Sequence, residues 1–158
     1  MPHDREFLQA MLAEAFDWRG TGSISADMVR RSPAIWHYIE GWKQPSDFGV
    51  VWFDGRRGLG AAWARFLPQE DPGYGFVDAA VPEVTMAVTS EARGRGGGKL
   101  LLDGLIAAAR DRGLDRLSLS VEDGNRAARS LYKSTGFVVV GREGDSDTMQ
   151  LTIAPPLS

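Results

Sequence analysis

The chain contains no cysteine and only two histidines, His3 and His37. It therefore cannot form a disulfide, a thiolate metal site or a cysteine nucleophile. So few histidines also disfavour a histidine-rich metal centre, and we expect no metal ion. No apolar stretch approaches the roughly 20 residues that a membrane-spanning helix requires.

Charge and length narrow the function classes further. The net charge of -3 and the pI near 5.4 give no general attraction to nucleic acid or to an anionic membrane. The first residues lack the apolar run of a signal peptide, so we expect a cytoplasmic protein. A length of 158 residues suits one domain spanning 1–158.

The most informative segment is 84–101, where an apolar strand runs into a basic, glycine-rich turn and then into a helix. Glycines lack a Cβ atom, so backbone N–H groups can converge on one ligand. The start of a helix adds unpaired N–H donors and the positive end of its dipole. The segment therefore predicts a binding site for a phosphate or pyrophosphate group.

Two common phosphate-binding spacings do not fit this turn. The P-loop pattern requires a glycine where Arg93 stands and a hydroxyl where Leu100 stands. The dinucleotide pattern, started at Gly94, reaches Lys99 where it requires a glycine. The spacing that does occur is Arg93-x-x-Gly96-x-Gly98. It resembles the signature of the GNAT superfamily of N-acetyltransferases, which cradles the pyrophosphate of acetyl-coenzyme A; the plainer interpretation is a flexible surface turn.

A second stretch, residues 119–137, strengthens the resemblance. The family pattern is a strand, an asparagine and then A-x-x-L-Y-x-x-x-G-F, which this chain matches at Asn125, Ala128, Leu131, Tyr132, Gly136 and Phe137. In the family the tyrosine is the general acid for the coenzyme sulfur, and the asparagine helps to hold the coenzyme arm. The residues alone allow another interpretation, because Tyr132 shares an apolar helix face and could be a core side chain.

The order of predicted elements describes one α/β domain. We predict helices over about 8–16 and 25–40, the second broken near Pro33, strands over 48–53, 58–67, 83–89, 117–121, 137–140 and 147–153, and helices over 97–112 and 125–135. Residues 1–47 then form a helical part on the acceptor side, and residues 48–153 form the sheet and the coenzyme-binding core. The resemblance implies a mixed, mostly antiparallel sheet flanked by helices, from which the first strand of the family is missing.

The resemblance also implies which residues bind acetyl-CoA as cosubstrate. The strands that carry 86–88 and 119–121 are expected to separate and admit the pantetheine arm. The predicted coenzyme-binding residues are Met86, Ala87, Val88, Arg93, Gly94, Arg95, Gly96, Gly97, Gly98, Lys99, Asn125, Arg129 and Tyr132.

Catalysis requires a neutral amine and a protonated leaving thiol. Tyr132 is the expected acid. Glu83 is the first candidate for the base, because it begins the strand where acceptor and donor should meet; a solvated charge at a strand end is the alternative. Glu122 and a water-relayed proton remain open, and Ser120 occupies a position where some relatives carry a glutamate.

The acceptor is predicted only as a primary amine of a small molecule or peptide. The acidic and aromatic loop 70–78 either closes over that amine or is solvated. His37 is expected to be structural. A homodimer is also predicted, because a missing first strand leaves a sheet edge for a partner.

Two other functions compete with an enzyme. A catalytically silent acyl-CoA-binding sensor has the same fold, but it has no need of an acid at Tyr132. RNA binding through 93–99 is disfavoured by the acidic balance of the chain and by the absence of basic–aromatic alternation.

Overall fold

The computed structural model describes residues 2–154 of the 158-residue chain. Within that range the helices and strands are, in order, α1 Pro2–Phe16, α2 Ala26–Arg31, α3 Pro33–Trp36, β1 Phe48–Asp54, β2 Arg57–Arg65, β3 Glu83–Val88, α4 Gly97–Asp111, β4 Arg116–Glu122, α5 Arg126–Thr135, β5 Val138–Glu143 and β6 Ser146–Thr152. A short 3₁₀ turn, Ser90–Ala92, lies between β3 and α4. These elements agree closely with the sequence-based prediction, apart from the region 25–40.

The helical region 25–40 is broken at Pro33, as predicted, but it ends earlier than predicted, at Trp36. Ser25 caps α2, because its Oγ accepts a hydrogen bond from the backbone N–H of Met28 at 3.2 Å. α3 starts with Pro33 at its first position, where a missing N–H does no harm. α3 is only four residues long, and turns carry the chain onward to Gly41.

The six strands form one sheet in the order β1-β2-β3-β4-β6-β5. Every neighbouring pair is antiparallel except β3 and β4, which are parallel. The β1–β2 connection is the predicted hairpin, whose turn contains Asp54 and Gly55.

The parallel pair β3–β4 is joined at one position only, Glu83 opposite Ser118. The N–H of Ser118 donates to the carbonyl of Pro82 at 3.1 Å. Beyond this point no further pairing joins the two strands, whereas β4 and β6 pair along seven residues. The separation expected between these strands is therefore confirmed, and it leaves a gap in the centre of the sheet.

The two faces of the sheet pack against different helices. On one face, α4 contributes Leu101 and Leu105 to a core that also contains Phe137. On the other face, α1 contributes Leu12 to a core that contains Ile39 and Trp63. Alternation along β3 places Val84, Met86 and Val88 with the α4 core and Ala87 with the α1 core, so Glu83 and Thr85 share the α1 face.

β1 and β5 lie at the two edges of the sheet. The first element within residues 2–154 is the helix α1, and the missing first strand of the family stays a prediction. The homodimer expected through that edge stays a prediction. None of the helices within residues 2–154 has the length and apolar character needed to cross a membrane.

Candidate active site

The glycine-rich turn forms an open helix start. Gly94 and Gly96 both have φ near +78°, in the left-handed region that favours glycine. Gly96 occupies the N-cap position of α4, and no side chain caps the helix there. The first turn of α4 contains no acidic residue, so the free N–H groups and the positive dipole end are available to an anion.

The remaining two glycines of the turn serve close packing. A Cβ atom on Gly97 would collide with the ring of Trp52 on β1. A Cβ atom on Gly98 would lie 3.1 Å from Leu131 of α5, so the start of α4 approaches α5 closely. Both residues line a cavity between β3 and β4.

A cavity of about 920 Å³ lies at the gap between β3 and β4, and its lining includes residues of α1 on one face of the sheet and of α4 and α5 on the other. It is lined by eleven of the predicted site residues, namely Glu83, Met86, Ala87, Val88, Arg93, Gly94, Gly96, Gly97, Gly98, Asn125 and Tyr132. Distant parts of the sequence are thus brought together around one space. This cavity is the candidate active site.

Three predicted coenzyme-binding side chains lie outside the cavity lining. The guanidinium of Arg95 stacks over the ring of Trp52 at 5.4 Å. Lys99 pairs with Asp103 at 2.8 Å on the exposed surface of α4. Arg129 pairs with Asp147 at 2.7 Å. The roles of these three residues in coenzyme binding stay predictions, because the contacts that the structure shows for them are with other protein side chains.

Arg93 and Asn125 have protein partners as well as a place in the cavity. Arg93 pairs with Glu14 of α1 at 3.1 Å, which links the coenzyme loop to the other face of the sheet. Asn125 is the N-cap of α5, and its Oδ1 accepts a hydrogen bond from the N–H of Ala128 at 3.4 Å. Asn125 therefore fixes the start of the helix that carries Tyr132.

Tyr132 projects from α5 into the same cavity. Its side chain is buried and packs against Phe137, with ring centroids 5.8 Å apart. Burial raises the pKa of its hydroxyl to about 12, because the phenolate would lose its hydration. Tyr132 is therefore neutral and protonated throughout the physiological range.

Glu83 is almost completely buried, with 2% of its surface exposed. The alternative of a solvated charge at a strand end is therefore wrong. Its carboxylate accepts hydrogen bonds from the Tyr38 hydroxyl at 3.1 Å, from the N–H of Gly73 at 3.1 Å and from the N–H of Gly75 at 3.3 Å. Burial raises the pKa of Glu83 from 4.5 to about 7, although these three hydrogen bonds oppose that shift.

The other candidates for the base lie on the α1 face of β4. Ser120 and Glu122 both line the cavity. The carboxylate of Glu122 accepts a hydrogen bond from Arg19 at 3.0 Å, and both side chains are partly exposed. Glu122 thus has a cationic partner, whereas the carboxylate of Glu83 is held by neutral donors only.

Residues 7–137 match the acetyltransferase (GNAT) family. The chain belongs to the GNAT family. It is 37% identical over 117 residues to a mycothiol acetyltransferase of Geodermatophilus obscurus, covering 73% of this chain and 35% of the relative. It is 30% identical over 138 residues to an L-methionine sulfoximine/L-methionine sulfone acetyltransferase of Pseudomonas aeruginosa, covering 80% of this chain and 77% of that relative.

The fold is also that of solved acetyltransferases. The N-acetyltransferase of Thermoplasma acidophilum in complex with coenzyme A superimposes with a TM-score of 0.64 at 17% identity, over 95% of this chain and 93% of that one. The predicted fold class is confirmed. The GNAT chain described here spans about a third of the length of the mycothiol acetyltransferase that it matches.

Sequence reasoning missed the aromatic residues on the α1 face of the cavity. Phe16, Tyr38 and Tyr74 line it, and the ring of Phe16 lies 6.0 Å from that of Tyr38 and 5.9 Å from that of Tyr74. They come from α1, from the turn after α3 and from the loop 66–82. The sequence marks Tyr74 only as part of the aromatic loop 70–78, and no local pattern marks Phe16 or Tyr38, because the three rings meet only when the sheet has formed.

The loop 70–78 is attached to the sheet through its backbone. Besides the two glycine amides on Glu83, the N–H of Tyr74 donates to the Tyr38 hydroxyl at 2.7 Å. A Cβ atom on Gly75 would collide with the backbone of Leu119, so this residue lies tightly against β4. The central part of the loop is therefore one side of the cavity.

His37 lies outside the cavity lining, with a buried ring whose Nδ1 is 2.9 Å from Asp71. Within residues 2–154, no group of three or more histidine, aspartate or glutamate side chains is arranged to hold a metal ion.

Gly98→Val and Gly96→Val are expected to weaken the binding of coenzyme A at least tenfold, because each puts a side chain at the helix start that should receive the pyrophosphate. Isothermal calorimetry measures the affinity. Gly113→Val is the matched control: Gly113 has φ +76° at the other end of α4, outside the cavity, so it imposes similar backbone strain. Unchanged affinity in both loop variants would refute the coenzyme assignment.

Proposed function

We propose that this GNAT chain transfers an acetyl group from acetyl-CoA to a primary amine. The observation that carries the proposal is the cavity itself, which connects an uncapped, glycine-rich helix start to a buried carboxylate through a gap in the sheet. Acetyl-CoA supplies the activated acetyl thioester. The same coenzyme in the Thermoplasma structure supports this choice.

The residues fit the coenzyme in two places. The free N–H groups at the start of α4 suit the pyrophosphate, and Arg93 adds positive charge beside them. On the side of β3 that faces β4, residues 86 to 88 have no strand partner, which leaves backbone groups for the pantetheine amides and the thioester carbonyl. On the β4 side, Asn125 and Ala128 line the cavity next to Tyr132.

Glu83 acts as the base in this proposal. A lysine-like amine has a pKa near 10.4, so roughly one molecule in two thousand is neutral at pH 7. With a pKa of about 7, Glu83 is about half ionised at that pH and accepts a proton far more readily than an ordinary carboxylate. One lone-pair position on Oε1 stays open, because that oxygen accepts only the Gly73 N–H. The ammonium proton passes to Oε1 directly or through one water molecule.

Tyr132 supplies the proton for the sulfur that leaves. Its pKa of about 12 makes donation to an ordinary thiolate, with a pKa near 8.5, uphill by about 5 kcal/mol. The same apolar surroundings raise the pKa of a thiolate formed beside it, which narrows the difference. The neutral amine attacks the thioester carbonyl and forms the new C–N bond, and the C–S bond breaks. The sulfur takes the proton of Tyr132 and leaves as the thiol. The acylated nitrogen then loses a proton, which returns to Tyr132 through solvent.

The charges around the cavity favour a cationic acceptor. It is lined by Glu143 and Asp145 at the β5–β6 turn and by Glu122, which is paired with Arg19, while its lining arginines, Arg93 and Arg126, lie beside α4 and α5. The aromatic side chains of Phe16, Tyr38 and Tyr74 also suit an ammonium group. A small-molecule or peptide amine without a nearby carboxylate fits these surroundings best.

The function is tested by incubating the protein with acetyl-CoA and a panel of amines, and by following thiol release. The panel includes cadaverine, n-pentylamine and lysine, which share one carbon chain. Acceptor-dependent release is expected, with cadaverine best and lysine poorest. Coenzyme binding without release by any amine would instead support a silent acyl-CoA sensor, and equal rates for all three amines would refute the charge argument.

Glu83→Gln is expected to lower kcat/KM by about 10- to 100-fold at pH 7. The wild-type value should rise as the pH passes about 7, where the carboxylate forms, and the variant should lose this rise. The loss should diminish toward the pKa of the amine, where no base is needed. Glu122→Gln is the matched control and should retain the rise near pH 7; an equal loss at every pH in Glu83→Gln would show a structural role instead.

Tyr132→Phe is expected to fold and bind coenzyme A normally, but to lose about 10- to 1,000-fold in kcat, because it lacks the acidic proton. Single-turnover kinetics and calorimetry measure the two quantities. Tyr74→Phe removes another tyrosine hydroxyl at the same cavity, and its kcat should fall far less. Wild-type turnover in Tyr132→Phe would return Tyr132 to the role of a core side chain.

A further inference from the structure

Tyr38 is held rigidly at the junction of three elements. Its side chain is 5% exposed, and its backbone carbonyl accepts a hydrogen bond from the indole N–H of Trp63 at 3.1 Å. Its ring packs edge-on against that of His37, with centroids 4.6 Å apart, and at a tilt against that of Phe16, with centroids 6.0 Å apart. These contacts of the backbone and ring position the Tyr38 hydroxyl independently of the hydrogen bonds that the hydroxyl itself makes.

The hydroxyl makes two hydrogen bonds of opposite direction. It donates to Oε2 of Glu83 at 3.1 Å and accepts from the N–H of Tyr74 at 2.7 Å. Glu83 is 45 residues away along the chain, and Tyr74 is 36 residues away. Since Gly73 and Gly75 also donate to Glu83, the hydroxyl, the carboxylate and three consecutive loop amides form one closed network.

We propose that Tyr38 is the positioning residue of the base. Its hydroxyl holds Oε2 of Glu83, which leaves Oε1 as the oxygen that meets the acceptor amine, and the same hydroxyl seats Tyr74 at the edge of the cavity. This inference rests on the proposed acetyl transfer for its catalytic meaning. The hydrogen-bond network can be tested without it.

The protonation states agree with this arrangement. Burial raises the pKa of Tyr38 well above its ordinary value, so its hydroxyl stays a donor. Its hydrogen bond lowers the pKa of Glu83 against the opposing effect of burial. The other titratable side chains that line this side of the cavity are Glu14 of α1, Tyr74 of the loop and Glu122 of β4. Outside the lining, Arg65 lies opposite Glu83 on β2 and is paired with Asp47, and His37, which packs against Tyr38, contacts Asp71. Within residues 2–154, no lysine or arginine pairs with the Glu83 carboxylate.

Tyr38→Phe tests the proposal, because it removes the hydroxyl and keeps the ring. A net hydrogen bond of about 1 kcal/mol corresponds to somewhat less than one pKa unit. The pKa of Glu83, measured by ¹³C NMR of the carboxyl carbon in the free protein, should therefore rise by about 0.5 to 1 unit. Glu83→Gln assigns the resonance. Amide hydrogen exchange at Tyr74 should accelerate at least tenfold.

The pH profile of kcat/KM should move with the NMR titration. The rise near pH 7 should shift upward by the same amount, so that Tyr38→Phe loses activity at pH 6.5 and approaches the wild type at pH 9. Tyr74→Phe is the control, since its own hydroxyl does not contact Glu83, and it should leave the rise in place. Equal loss at every pH with an unchanged Glu83 titration would overturn the proposal.

A second measurement keeps the proposal testable if Tyr38→Phe does not fold. The chain has three tyrosines, so Tyr38 is the only one left in the Tyr74→Phe, Tyr132→Phe double variant. Biosynthetic 3-fluorotyrosine then makes Tyr38 a stronger donor and should lower the pKa of Glu83. An unchanged titration would refute the link. Absence of acetyl transfer by the wild type with all amines would refute the proposed function, whatever the NMR result.

Discussion

The candidate active site depends on the single residue pair that joins β3 to β4. Glu83 lies opposite Ser118, and no later residue of β3 pairs with β4. The two strands therefore diverge, and the backbone groups that face the gap have no strand partner. Each strand then leads into a helix whose start borders the gap, α4 after β3 and α5 after β4. A fully paired sheet of the same strands would satisfy more hydrogen bonds, but it would separate the glycine loop from the buried carboxylate.

Glu83 shows how the fold tolerates a charge at that position. A buried carboxylate loses its hydration, and three neutral donors replace it only in part. The raised pKa means that the folded protein binds this proton more tightly than the unfolded chain does. The contribution of this proton to stability is therefore fully present below pH 4.5 and is lost as the pH rises to about 7. A basic carboxylate is obtained at a cost in stability near neutral pH.

Much of the fold and of the coenzyme side could be predicted from sequence because it is local. Arg93 to Gly98 lie within one turn, and the helix that presents Tyr132 is defined by its own spacing and by its cap, Asn125. The sequence associates the acceptor with residues 1–47 and the loop 70–78, but the cluster of Phe16, Tyr38 and Tyr74 could not be predicted, since these side chains meet only through tertiary packing. The protein contacts of Arg95, Lys99 and Arg129, with Trp52, Asp103 and Asp147, could not be predicted from the motif either.

The division of the cavity between the two faces of the sheet has an evolutionary consequence. The coenzyme side is built by α4 and α5, whereas the acceptor side is built by α1, by the turn after α3 and by the loop 66–82. Under the proposed function, mutations in the second set change the shape and charge of the acceptor side without altering the glycine-rich loop assigned to the coenzyme. Acceptor preference can therefore change one residue at a time, except at Glu83, which belongs to the sheet, contacts the loop and lines the cavity.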